Sequence, residues 1–95
     1  MIQVTKEIID KLVEHDYKFT YTYPYPKPIT PKISEVLKWL REEHVFHVEI
    51  LREKYNGWMY FIQLLDASYV SNGNGFDTYE SAALAGIEYC LDNLI

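Results

Sequence analysis

Ninety-five residues, 48% of them hydrophobic and 24% charged, suit one globular domain with a modest core and exclude a disordered tail. The single cysteine, Cys90, excludes an internal disulfide framework and a thiolate-rich zinc site, and no apolar run approaches the roughly 18 residues of a membrane helix. The charge of −5 is lopsided: all nine Lys and Arg lie between Lys6 and Lys54, where nine acids balance them, and Asp66, Asp77, Glu80, Glu88 and Asp92 carry the whole deficit.

Thr5 to about His15 reads as a helix, with Thr5 as its cap and Val4 and Ile9 spaced as a hydrophobic staple. Ile8, Ile9, Leu12 and Val13 form one apolar stripe. A helix of barely three turns is marginal alone, so it must dock on the rest. Next, Tyr17, Phe19, Tyr21, Tyr23 and Tyr25 occupy every second position, which in an extended chain points all five rings one way. Pro24, Pro26 and Pro28 fall on the other parity and remove three backbone donors. That pattern predicts an edge strand running into polyproline-like chain.

Thr30 as cap and Pro31 at the first helical position predict the second helix, with Ile33, Val36, Leu37 and Leu40 as its stripe, Trp39 flanking and Arg41 to His44 closing it. Two β-rich runs follow, Val45 to Glu53 and Trp58 to Ala67, joined through Lys54-Tyr55-Asn56-Gly57, a hairpin signal. A three-residue loop with Gly57 left-handed pairs Ile50 with Ile62 and Val48 with Leu64, and sorts polarity better than a two-residue loop. The second run is apolar on both faces and so reads as a central strand covered on each side. Tyr69 and Val70 suggest a short third strand, and Asn72-Gly73-Asn74-Gly75 a glycine-rich turn. The last helix begins at Asp77 or Thr78, where Asp77 and Glu80 have capping-box spacing. Its stripe is Ala83, Leu84, Ile87, Leu91 and Leu94. Gly86 costs that helix about 1 kcal/mol against Ala, which points to close packing on the sheet.

Few residues carry chemistry. His44 and His47 have HxxH spacing, but one closes a helix and the other sits in a strand, so no metal site is expected and His44 should meet the carbonyls of its helix end. Cys90 lies on an apolar stripe beside Glu88 and Asp92 and reads as core, not nucleophile. No serine sits in a glycine-flanked elbow, and pairs among Glu42, Glu43, Glu49, Glu53, Asp66 and Asp77 are what any chain with 14 acids offers. Asp77 and Glu80 at the last helix start would repel phosphate, which argues against both a phosphate loop and a double-stranded-RNA module. The stretch from Tyr55 onward has no cation to displace counterions from a nucleic acid. The acidic second half is expected to pack against the cation-bearing first half.

Ile29-Thr30-Pro31, then Trp39-Leu40-Arg41-Glu42 and His44, an alternating strand, and Thr78-Tyr79-Glu80 running into Ile87 to Ile95 resemble a group of small proteins of bacterial phages and mobile elements. The resemblance covers about Ile29 to Ile95, with Ser81 replacing the second glutamate of that group's helix start. It implies a genomic setting and brings no catalytic residues with it.

The expected architecture is α+β in the order α-arm-α-β-β-(β)-α. An antiparallel sheet of two or three strands carries two helices on one face, and the N-terminal helix and arm cover the other face or a neighbouring subunit. One domain spans residues 1–95, divided into residues 1–28 (helix and Tyr/Pro arm) and a 29–95 core. The candidate interaction surface is Tyr17, Phe19, Tyr21, Tyr23 and Tyr25, and no catalytic, cofactor or metal residue is assigned. The expected role is a non-enzymatic interaction protein in the cytoplasm, partnered by a second copy or another protein, without cofactor or membrane. The alternative is a nucleic-acid accessory protein stacking bases on the same rings. A small-molecule ligand between arm and sheet stays open.

Overall fold

The computed structural model describes residues 3–55 and 57–95. Its order is α1 (Lys6–Glu14), α2 (Ile33–Glu43), β1 (His47–Glu53), β2 (Gly57–Gln63), β3 (Tyr69–Phe76) and α3 (Tyr79–Tyr89), which continues into a π-helical turn, Cys90–Leu94. The fold is α+β, with a three-stranded antiparallel sheet in the order β1-β2-β3. The molecule measures 48 × 29 × 17 Å. None of the described helices is long and apolar enough to cross a membrane.

Thr5 caps α1 as expected, its hydroxyl accepting from the Ile8 N–H at 3.4 Å. The start of α2 lies further on than Thr30 and Pro31 suggest, because the N-terminus holds that stretch extended. The Val4 N–H donates to the Pro31 carbonyl at 3.1 Å, and Gln3 pairs antiparallel with Lys32. Lys32 becomes the cap residue, and the Glu35 carboxylate accepts its N–H at 3.0 Å. At α3 the cap is Thr78, whose hydroxyl accepts from the Ser81 N–H at 3.1 Å and meets the Ser81 hydroxyl at 2.9 Å. Thr78 with Ser81, not Asp77 with Glu80, closes that end.

The β1–β2 hairpin pairs Val48 with Ile62, Ile50 with Tyr60 and Glu49 with Phe61. The faces are sorted as the hydrophobic pattern demands, but the register differs from the expected one: Glu53 already pairs with Gly57, and Asn56 lies outside the described residues. Gly57 is left-handed at φ +72°, and a Cβ there would sit 2.7 Å from the Phe76 carbonyl oxygen of β3. Both the dihedral and the close strand select glycine. The Asn72-to-Gly75 segment is strand, not turn. It runs within β3, whose register against β2 slips between Trp58 and Tyr60 and again between Tyr60 and Ile62. Each slip puts one extra residue on β3, and in the slip between Trp58 and Tyr60 Gly75 takes the left-handed backbone, φ +78°, of a glycine bulge.

Ile62, Val36, Leu40, Leu12, Ile87 and Cys90 are fully buried in one cluster that also takes Val4 and Ile8. Residues 3–28 therefore contribute to the same core as the rest, through Val4, Ile8 and Leu12. α2 and α3 cover the sheet face carrying Val48, Tyr60 and Ile62, and Gly86 brings α3 down onto it: a Cβ there would lie 3.1 Å from Val48 Cγ1 and 3.2 Å from Tyr60 Cγ. The expectation that α1 crosses to the other face is corrected. α1 packs against α3 and the π-helical turn, where its buried Ile8 and Leu12 join the existing core instead of needing a second one. Lys11 reaches Asp92 at 3.0 Å and Glu88 at 3.3 Å, and the His15 ring meets the Leu91 carbonyl at 3.1 Å. This joins a lysine of the charge-balanced first half to carboxylates of the acidic second half. On the opposite sheet face Leu51 of β1 and Tyr69 of β3 are 43% and 63% exposed, but β2 between them has no exposed residue: Met59 is buried, and Phe61, edge-on to Tyr69 at 6.3 Å, is half-buried.

Candidate interaction surface

The aromatic ladder divides into a root and a tip. The chain leaves α1 through a turn in which the Tyr17 N–H donates to the Leu12 carbonyl at 3.1 Å and Asp16 takes φ +59°. This swings Tyr17 against α2, where its ring stands edge-on to Trp39 at 5.2 Å and to Phe19 at 4.9 Å. Tyr17 and Phe19 are half-buried and pack on the core. Burial pushes the Tyr17 phenol up from its ordinary value, with the Glu35 carboxylate adding to the shift.

Beyond Thr20 the arm doubles back. The Ile29 N–H donates to the Thr20 carbonyl at 2.8 Å and the Thr22 N–H to the Lys27 carbonyl at 2.9 Å, with Tyr21 opposite Pro28. The Thr22 hydroxyl donates to the Tyr25 carbonyl at 2.7 Å and accepts the Lys27 N–H at 3.1 Å, closing the tip around the cis Tyr23–Pro24 peptide. The arm is thus a small separate hairpin, not an edge strand of the sheet. Its prolines cause no loss, because the donors of the returning limb are Lys27 and Ile29, on the parity between them. The reversal also ends the one-sided ladder: Tyr21, Tyr23 and Tyr25 are 59%, 94% and 81% exposed, and the three prolines are exposed with them. Three aromatic rings held in water on a hydrogen-bonded hairpin form a preordered apolar tip, the kind of feature concentrated at protein interfaces.

At the root lies a groove of about 410 Å³ between residues 16–20 and the outer side of α2. Tyr17 and Trp39 form its aromatic wall. Asp16, Glu35, Glu42 and Glu43 outnumber Lys18 and Lys38 along it, which leaves the groove net negative.

No family model, curated protein or solved structure matches the chain.

The remaining candidates are placed apart. Among the described residues no three of His, Cys, Asp and Glu are grouped to hold a metal ion. His47 faces Glu49 at 3.4 Å on the open sheet face, whereas the His44 ring stands edge-on to Trp39 at 4.6 Å. His44 therefore packs on an aromatic neighbour, and it is its backbone N–H that meets a helix carbonyl, that of Leu40 at 3.2 Å. Asp66 sits in the β2–β3 turn, where the Ser68 hydroxyl and N–H both donate to it and hold its carboxyl below the usual range. Cys90 is fully buried, and burial pushes its thiol up to about 12. An aromatic disulfide reagent at pH 8 should leave the folded protein unmodified and titrate one thiol after denaturation. Because the folded thiol holds its proton above the pH at which the unfolded one releases it, stability should fall as pH rises from about 9 toward 12. Rapid modification of the native thiol at pH 8 would contradict the buried placement.

Sequence reasoning missed the groove. Its signal was present in Trp39 flanking the α2 stripe, with Glu35, Glu42 and Glu43 at helical spacings of three and four from it.

Proposed function

We propose that this chain is a non-enzymatic interaction protein that associates with a second copy of itself through the Tyr21–Tyr25 tip, in the phage or mobile-element setting that its resemblance implies. The observation that carries this reading is the exposure of Tyr23 and Tyr25 on a hairpin tied by four hydrogen bonds. Such rings lose little conformational entropy on docking and bring a large apolar area with them. Stacking of single-stranded nucleic acid on the same rings is the competing reading. It is disfavoured by the charge, since Lys27 is the single cation between Phe19 and Pro31 and the nearby groove is net negative.

Light scattering on the full chain should give a dimer mass, and Tyr23→Ser/Tyr25→Ser should give a monomer. Because both rings are exposed, that variant should keep its folding stability within about 0.5 kcal/mol of the parent. A parent that is monomeric at high concentration would remove this reading. Salt-sensitive oligonucleotide binding that is lost in the same variant would replace it with the nucleic-acid one.

A further inference from the structure

We infer that the Tyr23–Pro28 tip of one copy seats in the Tyr17/Trp39 groove of a second copy, with Lys27 against Glu42 and Glu43, reciprocally about a two-fold axis; this rests on the self-association proposed above and names where the tip goes. Three observations converge on it. The groove has an aromatic wall of Tyr17 and Trp39, against which exposed tyrosine and proline rings can pack. The tip supplies Pro24, Pro26 and Pro28 interleaved with tyrosines, all of them exposed. The charges are also opposite: the groove has four acids against two lysines, and Lys27 has no ion-pair partner among the described residues.

The tip cannot be serving its own groove. Tyr23 and Tyr25 are 94% and 81% exposed, and the groove is built in part from the arm's root, Tyr17 to Thr20, from which the closed hairpin extends. The occupant must come from another molecule. A second copy brings tip and groove together, so the contact occurs twice and closes, which stops growth at a dimer. Covering the exposed parts of Tyr23 and Tyr25 removes about 300–400 Å² per arm.

The test is the dimer dissociation constant of the full chain, measured by sedimentation equilibrium for the parent, Lys27→Glu, Glu42→Lys/Glu43→Lys, and the three changes combined. All three positions are exposed, so folding is not at stake. Each charge reversal alone should weaken the dimer about tenfold, and the combination should return to within about threefold of the parent. Trp39→Ala, checked for native circular dichroism, should weaken it about 30-fold or more. A dimer that loses affinity in Tyr23→Ser/Tyr25→Ser yet is indifferent to both charge reversals overturns the groove as the seat while leaving the tip as an interface. A monomeric parent overturns both.

Discussion

Ile62→Ala should cost about 3–4 kcal/mol and lower the melting temperature by about 12–30 °C. Ile62 is fully buried in the central strand, paired with Val48 on one side and Val70 on the other, with the helical layer above it. Its side chain is packed within the core cluster, so most of the cost of the space left by three lost carbons persists. Against a total stability of about 5–15 kcal/mol for a domain of this kind, the loss is a large share. Urea unfolding monitored by far-ultraviolet circular dichroism measures it. A midpoint within error of the parent would mean that the sheet is not the centre of the core.

Gly86→Val should cost about 3 kcal/mol, whereas Gly86→Ala should stay within about 1 kcal/mol of the parent. The alanine result is a balance of opposing terms. Helix propensity favours Ala by about 1 kcal/mol, and against it the new methyl lands 3.1 Å from Val48 Cγ1 and 3.2 Å from the Tyr60 ring. Both neighbours can yield by only a few tenths of an ångström, since Val48 is β-branched and Tyr60 is buried between β2 and α3. Valine adds two further carbons in the same gap and is a poorer helix former, so both terms then point the same way. The pair of variants separates packing from propensity. If Val were tolerated as well as Ala, α3 would not rest on the sheet at this point.

These two residues show how far reading the chain carries. Gly86 was legible as a contact point because a mid-helix glycine is unfavourable without a compensating close approach, and the structure supplies one. The face of each strand was legible too, because a period of two assigns Val48, Ile50, Tyr60 and Ile62 to one side whatever the register. The register itself was not. Registers that differ by two residues bury the same side chains, and Gly57 can be left-handed in either, so hydrophobic pattern alone does not choose between them. The Asn-Gly repeat misled for a related reason: glycine marks turns and bulges alike, and β3 uses it for bulges along β2.

Local chemistry by itself determined that this is a small α+β domain, that Thr5 caps the first helix, that Cys90 is buried, and which residues fill most of the core, though Val13 on the expected α1 stripe is 60% exposed and buried Ala82 lay outside the expected α3 stripe. Those properties follow from periodicity and caps within a few residues, and short-range sterics enforce them. Only the tertiary structure decided where the N-terminal segment goes. Pairing of Gln3 and Val4 with residues 31–32 delayed α2, and docking on α3 put α1 on the already covered side of the sheet. It also decided the fate of the aromatic ladder. Alternation allowed five equivalent rings, but the hairpin closed by Thr20, Thr22, Lys27 and Ile29 anchored Tyr17 and Phe19 and left Tyr21, Tyr23 and Tyr25 in solvent. Contacts between segments distant in sequence have no local signature, which is why the groove and the exposed tip emerge only when the chain is folded.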